Sequence, residues 1–452
     1  MLITNEINYL LLAETARLCG GTSKSLAASR LVDEVERLCD LGNIADRVAM
    51  GNMRMHAVTS RRTSLTDSMF YGNTPTTLVY SYGPQTSMSL SDIVVYVGTR
   101  GSTSSSGERA VYLPYLTYVS NLSLRNSLEV AYLPECQTIG QSAFYMYPKL
   151  RVVYSPKCRS IYPSAFYACS SLSAYLSFPL CTWVGGEAFL GCRSLSSVSL
   201  PACVIIGSGA FCGCRSVHII SLPMCTSVDI GAFSNCTALT AVSLPACSYV
   251  GNDIFSYCTS LATVSLPACT TVGYEAFYNC TALATVSLPV CSYVGSYAFR
   301  YCSALTAVSL PVCTYVGDYA FYGCSSLATV SLPACSYVGS CAFQNCRSLT
   351  TVSLPACTSV GNVAFQYCSA LAAVSLPVCS YVGYGAFQYC SALSTVSLPV
   401  CTYVGTDAFQ YCSALATVSL PVCSYVGEYA FANCSALTAV SLPACSYVGN
   451  DI

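Results

Sequence analysis

From Pro201 to the end of the chain, one unit, S-L-P-A-C-S-Y-V-G-x-x-A-F-x-x-C-x-A-L-x-x-V, returns every 22 residues. Pro201, Pro223, Pro245, Pro267, Pro289, Pro311, Pro333, Pro355, Pro377, Pro399, Pro421 and Pro443 keep the count, and Pro114, Pro134, Pro156 and Pro179 mark looser copies upstream. A unit of this length cannot bury its own apolar residues. Copies must stack on one another, which restricts the chain to a solenoid.

Within one unit the residues predict their own places. Val242 and Leu244 alternate with Ala241 and Ser243, the pattern of a short strand with one face inward. Pro245 removes a backbone donor and ends it. Cys247 and Val250 turn inward, and Gly251 permits a tight corner. Phe255, with Phe277, Phe299, Phe321 and Phe343 at the same place in other copies, is the bulky filler of a short helical turn. Cys258 and Leu261 close the rung. The expected fold is therefore an α/β repeat solenoid, with parallel strands on one face, short helical turns on the other, and rungs ~4.8 Å apart.

Three segments follow. Residues 1–60 carry apolar residues at helical spacing (Glu14 to Gly21, then Ser25 to Leu38) and predict a small helical N-terminal module. Residues 61–110 hold two strand candidates, T-T-L-V-Y-S-Y and D-I-V-V-Y-V-G, then a polar linker from Thr99 to Glu108. Residues 111–452 are the solenoid. The last copy stops at Ser446-Tyr-Val-Gly-Asn-Asp-Ile452, where an earlier copy runs on from Ile254 into Phe255. The expectation is a truncation in mid-rung.

Leu239-x-x-Val242-x-Leu244-x-x-Cys247-x-x-Val250 resembles the leucine-rich-repeat pattern L-x-x-L-x-L-x-x-N/C-x-L, with Cys247 near the position where that family alternates Asn and Cys. With G-x-x-A-F-x-x-C-x-x-L and the proline after the strand, residues from about 110 to 452 are similar to the BspA-type branch, found in bacterial surface proteins, parasitic protists and phage-associated proteins. The resemblance implies a right-handed arc with its strands on the concave side and a role in binding or adhesion; it carries no catalytic residue. The opening E-I-N-Y-L-L-L-A-E-T-A-R-L-C-G-G resembles helical segments that precede such repeats in phage tail-associated proteins.

Several function classes are disfavoured. Net charge is -1 and Lys occurs only at Lys24, Lys149 and Lys157, so no basic face is available for nucleic acid. Ser, Thr, Gly or Pro breaks every apolar stretch before it reaches membrane-spanning length. The N-terminus does not read as a signal peptide, which leaves a cytoplasmic, virion-associated or non-classically exported protein. The 32 cysteines fall mostly in two columns, one two residues after each proline and one eleven residues later. Parallel side chains ~4.8 Å apart suit disulfides poorly, and no C-x-x-C pair exists, so buried thiols acting as small apolar fillers are expected. His56 and His218 are the only histidines, which argues against metal centres and cysteine nucleophiles. Asp253, Glu275, Asp318, Asp407 and Glu428 lie on different rungs and read as unpaired. Neither an enzyme nor a cofactor is expected.

Function then falls to the positions that vary between rungs, two after each glycine and two before each second cysteine. Their Tyr, Ser, Asn, Asp and Gly have the composition of a protein-binding paratope. The candidate ligand-binding residues are Tyr257, Tyr274, Tyr278, Tyr297, Tyr301, Tyr319, Tyr367, Tyr389, Tyr411 and Tyr429. The expected partner is a protein or cell-surface ligand. The alternative is a structural spacer, or a phage tail-associated structural protein, without specific contacts.

Overall fold

A computed structural model describes residues 54–56, 77–81, 94–97, 110–112, 117–120, 126–133, 135–172 and 176–452. The expected N-terminal helices and the Thr99–Glu108 linker lie outside these. The chain forms two compact units, Met1–Cys203 with Cys214–Val217, and Val204–Gly213 with His218–Ile452.

In the first unit, Arg54–His56, Thr77–Ser81 and Val94–Val97 pair antiparallel. Both strand candidates from the sequence contain one of these strands. Val94–Val97 then pairs parallel with Ala110–Tyr112, and the ladder continues through Val130–Tyr132 to Val152–Tyr154.

The second unit is the regular stack. Its main strands, such as Ala241–Ser243 and Thr263–Ser265, are exposed at both ends and buried at the central valine, as the alternation requires. These strands fall into three sheets, beginning at Ala241, Ala307 and Ala373. Each starts on alanine where the next two rungs carry threonine, as in Ala307, Thr329 and Thr351. The ladder is interrupted where Ala307 follows Thr285 and where Ala373 follows Thr351, but not where Ala439 follows Thr417, so the alanine alone does not set the break.

A second strand, two residues long, crosses each rung after the first cysteine. Tyr249–Val250, Thr271–Val272 and Tyr293–Val294 belong to a parallel ladder that runs through Ile205–Ile206 and Ser227–Val228 and continues to Tyr447–Val448. Beside it runs a hydroxyl ladder: Thr270 donates to the Ser248 carbonyl at 3.1 Å, and Ser292 to the Thr270 carbonyl at 3.2 Å.

The segment around each phenylalanine corrects the expected helical turn. Asp253 and Tyr257 are left-handed, at φ 55° and 60°, and the same two places are left-handed in the following rungs. A right-handed helix cannot pass through them. Alternate N–H groups instead leave the rung: Asp253, Phe255 and Tyr257 donate to Tyr274, Ala276 and Tyr278 of the next rung at 2.9, 2.8 and 2.7 Å. The peptides between close local turns, as in Ser256 N–H to the Asp253 carbonyl at 3.2 Å.

The interior matches the expected inward set. Leu239, Leu244, Cys247, Val250, Phe255, Cys258 and Leu261 are all fully buried. From Phe211 to Phe431 the phenylalanines form one spine, with successive rings nearly parallel and 5.1–5.7 Å apart, as for Phe321–Phe343 at 5.2 Å. The glycine corner has a different cause from the one expected. Gly251, Gly273 and Gly295 are not left-handed, but a Cβ on Gly295 would lie 2.8 Å from the carbonyl carbon of Gly273. Glycine is needed at Gly273 and Gly295 because stacked backbones nearly touch, whereas a Cβ on Gly251 would have its nearest neighbour at 3.4 Å.

Candidate functional site

Two left-handed columns define one edge of the stack. One holds Asp253, Glu275, Tyr297, Tyr319, Cys341, Val363, Gly385, Asp407 and Tyr429; the other holds Tyr257, Asn279, Tyr301, Gly323, Asn345, Tyr367, Tyr389, Tyr411 and Asn433. Asn, Asp and Gly enter this conformation cheaply. The variable composition thus has a backbone cause for those three residue types. It has none for tyrosine, whose left-handed conformation costs about 1 kcal/mol per residue.

The candidate tyrosines form two groups. In the first, Tyr257 meets Tyr278 at 5.2 Å, Tyr278 meets Tyr301 at 6.0 Å, Tyr274 meets Tyr297 at 5.3 Å and Tyr297 stacks on Tyr319 at 4.8 Å. In the second, Tyr367, Tyr389 and Tyr411 stack face to face at 4.7 and 4.6 Å. Gly323 and Asn345 separate the groups in their column, and Tyr429 stands apart, exposed beyond Asp407. Stacked rings have spent their faces on one another, so a ligand meets ring edges and a row of hydroxyls.

Sequence reasoning counted Arg300, Gln366, Gln388 and Gln410 among the variable positions but left them, with other residues near this edge, out of the candidate binding set. Arg300 and Tyr322 lie within the first group. Gln344, Gln366, Gln388 and Gln410 link amide to amide up the adjoining column. A third tyrosine ribbon, Tyr381, Tyr403, Tyr425 and Tyr447, stacks at 4.7–4.9 Å along the second strands. All were visible as repeated residue types, but only stacking shows which of them touch.

Stacking also corrects the expectation that the acidic residues are unpaired. Asp253 and Glu275 lie one rung apart in one column, and the Asp253 carboxyl is pushed up to about 6, first by burial and then by the charge and hydrogen bonding of Glu275.

The cysteines among the described residues form no disulfide, and those of the two columns are buried apart from Cys445 at the last rung. They do more than fill space. Cys247 donates its Sγ–H to the Tyr249 carbonyl at 3.1 Å, and Cys258 donates to the Phe233 carbonyl of an earlier rung at 3.2 Å, a pattern repeated along both columns. Burial pushes the Cys258 and Cys390 thiols up to about 12, which keeps them protonated and unreactive.

On the main strands, a shallow trough of about 510 Å³ is lined by Val242, Ser243, Thr263, Val264 and Thr285, with His218 at one end. It is mostly apolar and carries no charged group of its own beyond that imidazole. Among the described residues no helix is long and apolar enough to cross a membrane.

Comparison with known proteins places this architecture. The BspA-type leucine-rich repeat region matches residues 116–173, 182–306, 292–416 and 358–451. A leucine-rich repeat protein from Bacteroides ovatus has a similar crystal structure, at 22% identity and TM-score 0.53, with 87% of this chain and 99% of that one covered. A leucine-rich cell surface protein from Faecalibacterium prausnitzii aligns at 20% identity and TM-score 0.36, covering 88% of this chain and 94% of that one. No curated protein matches the sequence. The repeat, the inward residue set and the profile match agree, and the chain belongs to the BspA-type leucine-rich-repeat family.

Proposed function

We propose that this solenoid is a non-enzymatic recognition protein, and that the left-handed edge with its tyrosines contacts a protein or cell-surface ligand. The observation that carries the reading is tyrosine at left-handed positions. Asn or Gly would be easier there, and neighbouring rungs use them. A residue held in a disfavoured backbone region on an exposed edge points to a role beyond folding. Tyrosine also supplies large contact area at low entropy cost and is enriched among binding hot spots.

The stacking itself favours a second reading. Ring pairs contribute about 0.5–1.5 kcal/mol beyond their burial, which is comparable to the backbone cost, so the ribbons would also serve a spacer that needs stiff rungs. Replacing Tyr367, Tyr389 and Tyr411 together by Asn separates the two, because Asn suits the left-handed backbone. The parent is first screened against arrays of cell-surface ectodomains and glycans, and the strongest binder is then measured against the variant. Recognition predicts at least tenfold weaker binding, about 1.4 kcal/mol, with the melting temperature little changed. Unchanged binding with a lower melting temperature would establish the spacer. Loss on changing Ser375, Ser397 and Ser419 to Asn instead would move the site to the main strands.

A further inference from the structure

Arg300 stands in the column just before the second cysteine-side left-handed residue, between Tyr278 of the preceding rung and Tyr322 of the next. Its guanidinium carbon lies 5.9 and 5.0 Å from those two ring centroids, and 5.2, 4.8 and 5.6 Å from Tyr297, Tyr301 and Tyr319. Five rings therefore surround one cation. The rest of the column near it is neutral, Tyr278 and Tyr322 and then the linked glutamines.

The rings hold the charge without neutralising it. A cation over an aromatic face is attracted by the ring quadrupole, but the guanidinium donors lie in its own plane, where a planar fork fits an oxyanion through two parallel hydrogen bonds. One of these donors, on Nη2, is given to the Tyr301 hydroxyl at 3.2 Å. The Nε–H is enclosed with no acceptor in reach. The groups that act on the Arg300 charge are Tyr301, Tyr278 and Tyr297, with no carboxylate among them. Asp318 on the next rung directs its carboxylate to the Ser340 N–H at 2.7 Å. The site thus has an uncompensated positive charge, a side chain already ordered before any ligand arrives, and the Tyr301 hydroxyl beside it to donate further.

We propose that Arg300, with the hydroxyl of Tyr301, is an oxyanion site that takes a carboxylate, phosphate or sulfate group of the protein ligand. The proposal rests on the reading of this edge as the recognition surface. It adds a chemical class, an acidic group presented singly, to a surface of ring edges, neutral amides and the acids Asp253, Glu275 and Asp407. Prior ordering of the arginine removes a rotamer cost that a surface arginine would meet on binding.

The test uses the full chain labelled with 15N at arginine, with the Arg300 side-chain signals assigned by their loss in Arg300→Lys. Sodium phosphate, sulfate and acetate are titrated in turn, each against sodium chloride at equal ionic strength. The expected result is a saturable shift of the Arg300 signals with a midpoint at least tenfold below that of exposed Arg347 in the same spectra. Tyr301→Phe, which keeps the ring and removes the hydroxyl, should raise that midpoint about threefold or more. A stronger response to phosphate or sulfate than to acetate identifies an esterified group, and the reverse identifies a carboxylate. Shifts that only follow ionic strength, or that equal those of Arg347, would overturn the proposal and leave the cluster as a clamp between rungs. Such a result alongside weaker ligand binding by the Tyr367, Tyr389 and Tyr411 variant would remove the anion site and leave the recognition surface standing.

Discussion

Asp253 shows what a single residue gains from its column. Its carboxyl has a folded value of about 6 against an ordinary 3.8, so the folded protein holds this proton more tightly than the unfolded chain does. The contribution to stability is therefore present below pH ~4 and is lost as pH rises toward 6. In a 13C titration of the carboxyl, Glu275→Gln should lower the Asp253 midpoint, though only in part, since burial is the larger cause. An unchanged midpoint would show that the two groups do not interact. The sequence placed both acids at the same variable site of adjacent rungs, where they are half-buried, yet their pairing was hidden because 22 positions separate atoms that lie side by side. The thiols illustrate the converse. Their inward direction was legible from the alternation of apolar positions, whereas their role as donors depends on where the Tyr249 and Phe233 carbonyls come to lie, which no spacing reveals.

At the scale of the element, the corner and the edge have opposite requirements. Gly295 faces backbone, which cannot yield, so Gly295→Ala should destabilise the protein by about 1–3 kcal/mol, in the range of other overpacked sites. A melting temperature unchanged in Gly295→Ala would mean that the rungs are looser than their contact distances imply. The main strand was readable because alternation over Ala241 to Leu244 is long enough to show a period of two. The second strand was not, since Tyr249–Val250 contains one alternation and looks like a corner. The phenylalanine segment misled for a related reason: small residues around a buried aromatic fit a helical turn as well as a left-handed one, and the choice is made by hydrogen bonds to the neighbouring rung.

For the stack as a whole, each rung is supported mainly by the two beside it. Phe343 is fully buried between Phe321 and Phe365, each 5.2 Å away. Removing its ring in Phe343→Ala should cost about 3–5 kcal/mol, and in a nearest-neighbour array that loss acts as a break. Hydrogen exchange should then show rungs on either side of residue 343 opening as separate blocks. A single cooperative opening of the whole stack would show coupling well beyond adjacent rungs.

The N–H groups that leave each rung at Asp253, Phe255 and Tyr257 all point to the following rung, and those of Glu275, Phe277 and Asn279 do the same. In an ordinary β-ladder neighbouring peptides alternate and their dipoles largely cancel. Along this edge they add, as they do in an α-helix, where each peptide carries ~3.5 D. This edge is therefore polarised along the direction of stacking by an amount that grows with every rung added, and the second-strand side, where Thr270 and Gly273 donate back to the Ser248 and Val250 carbonyls, is polarised the opposite way.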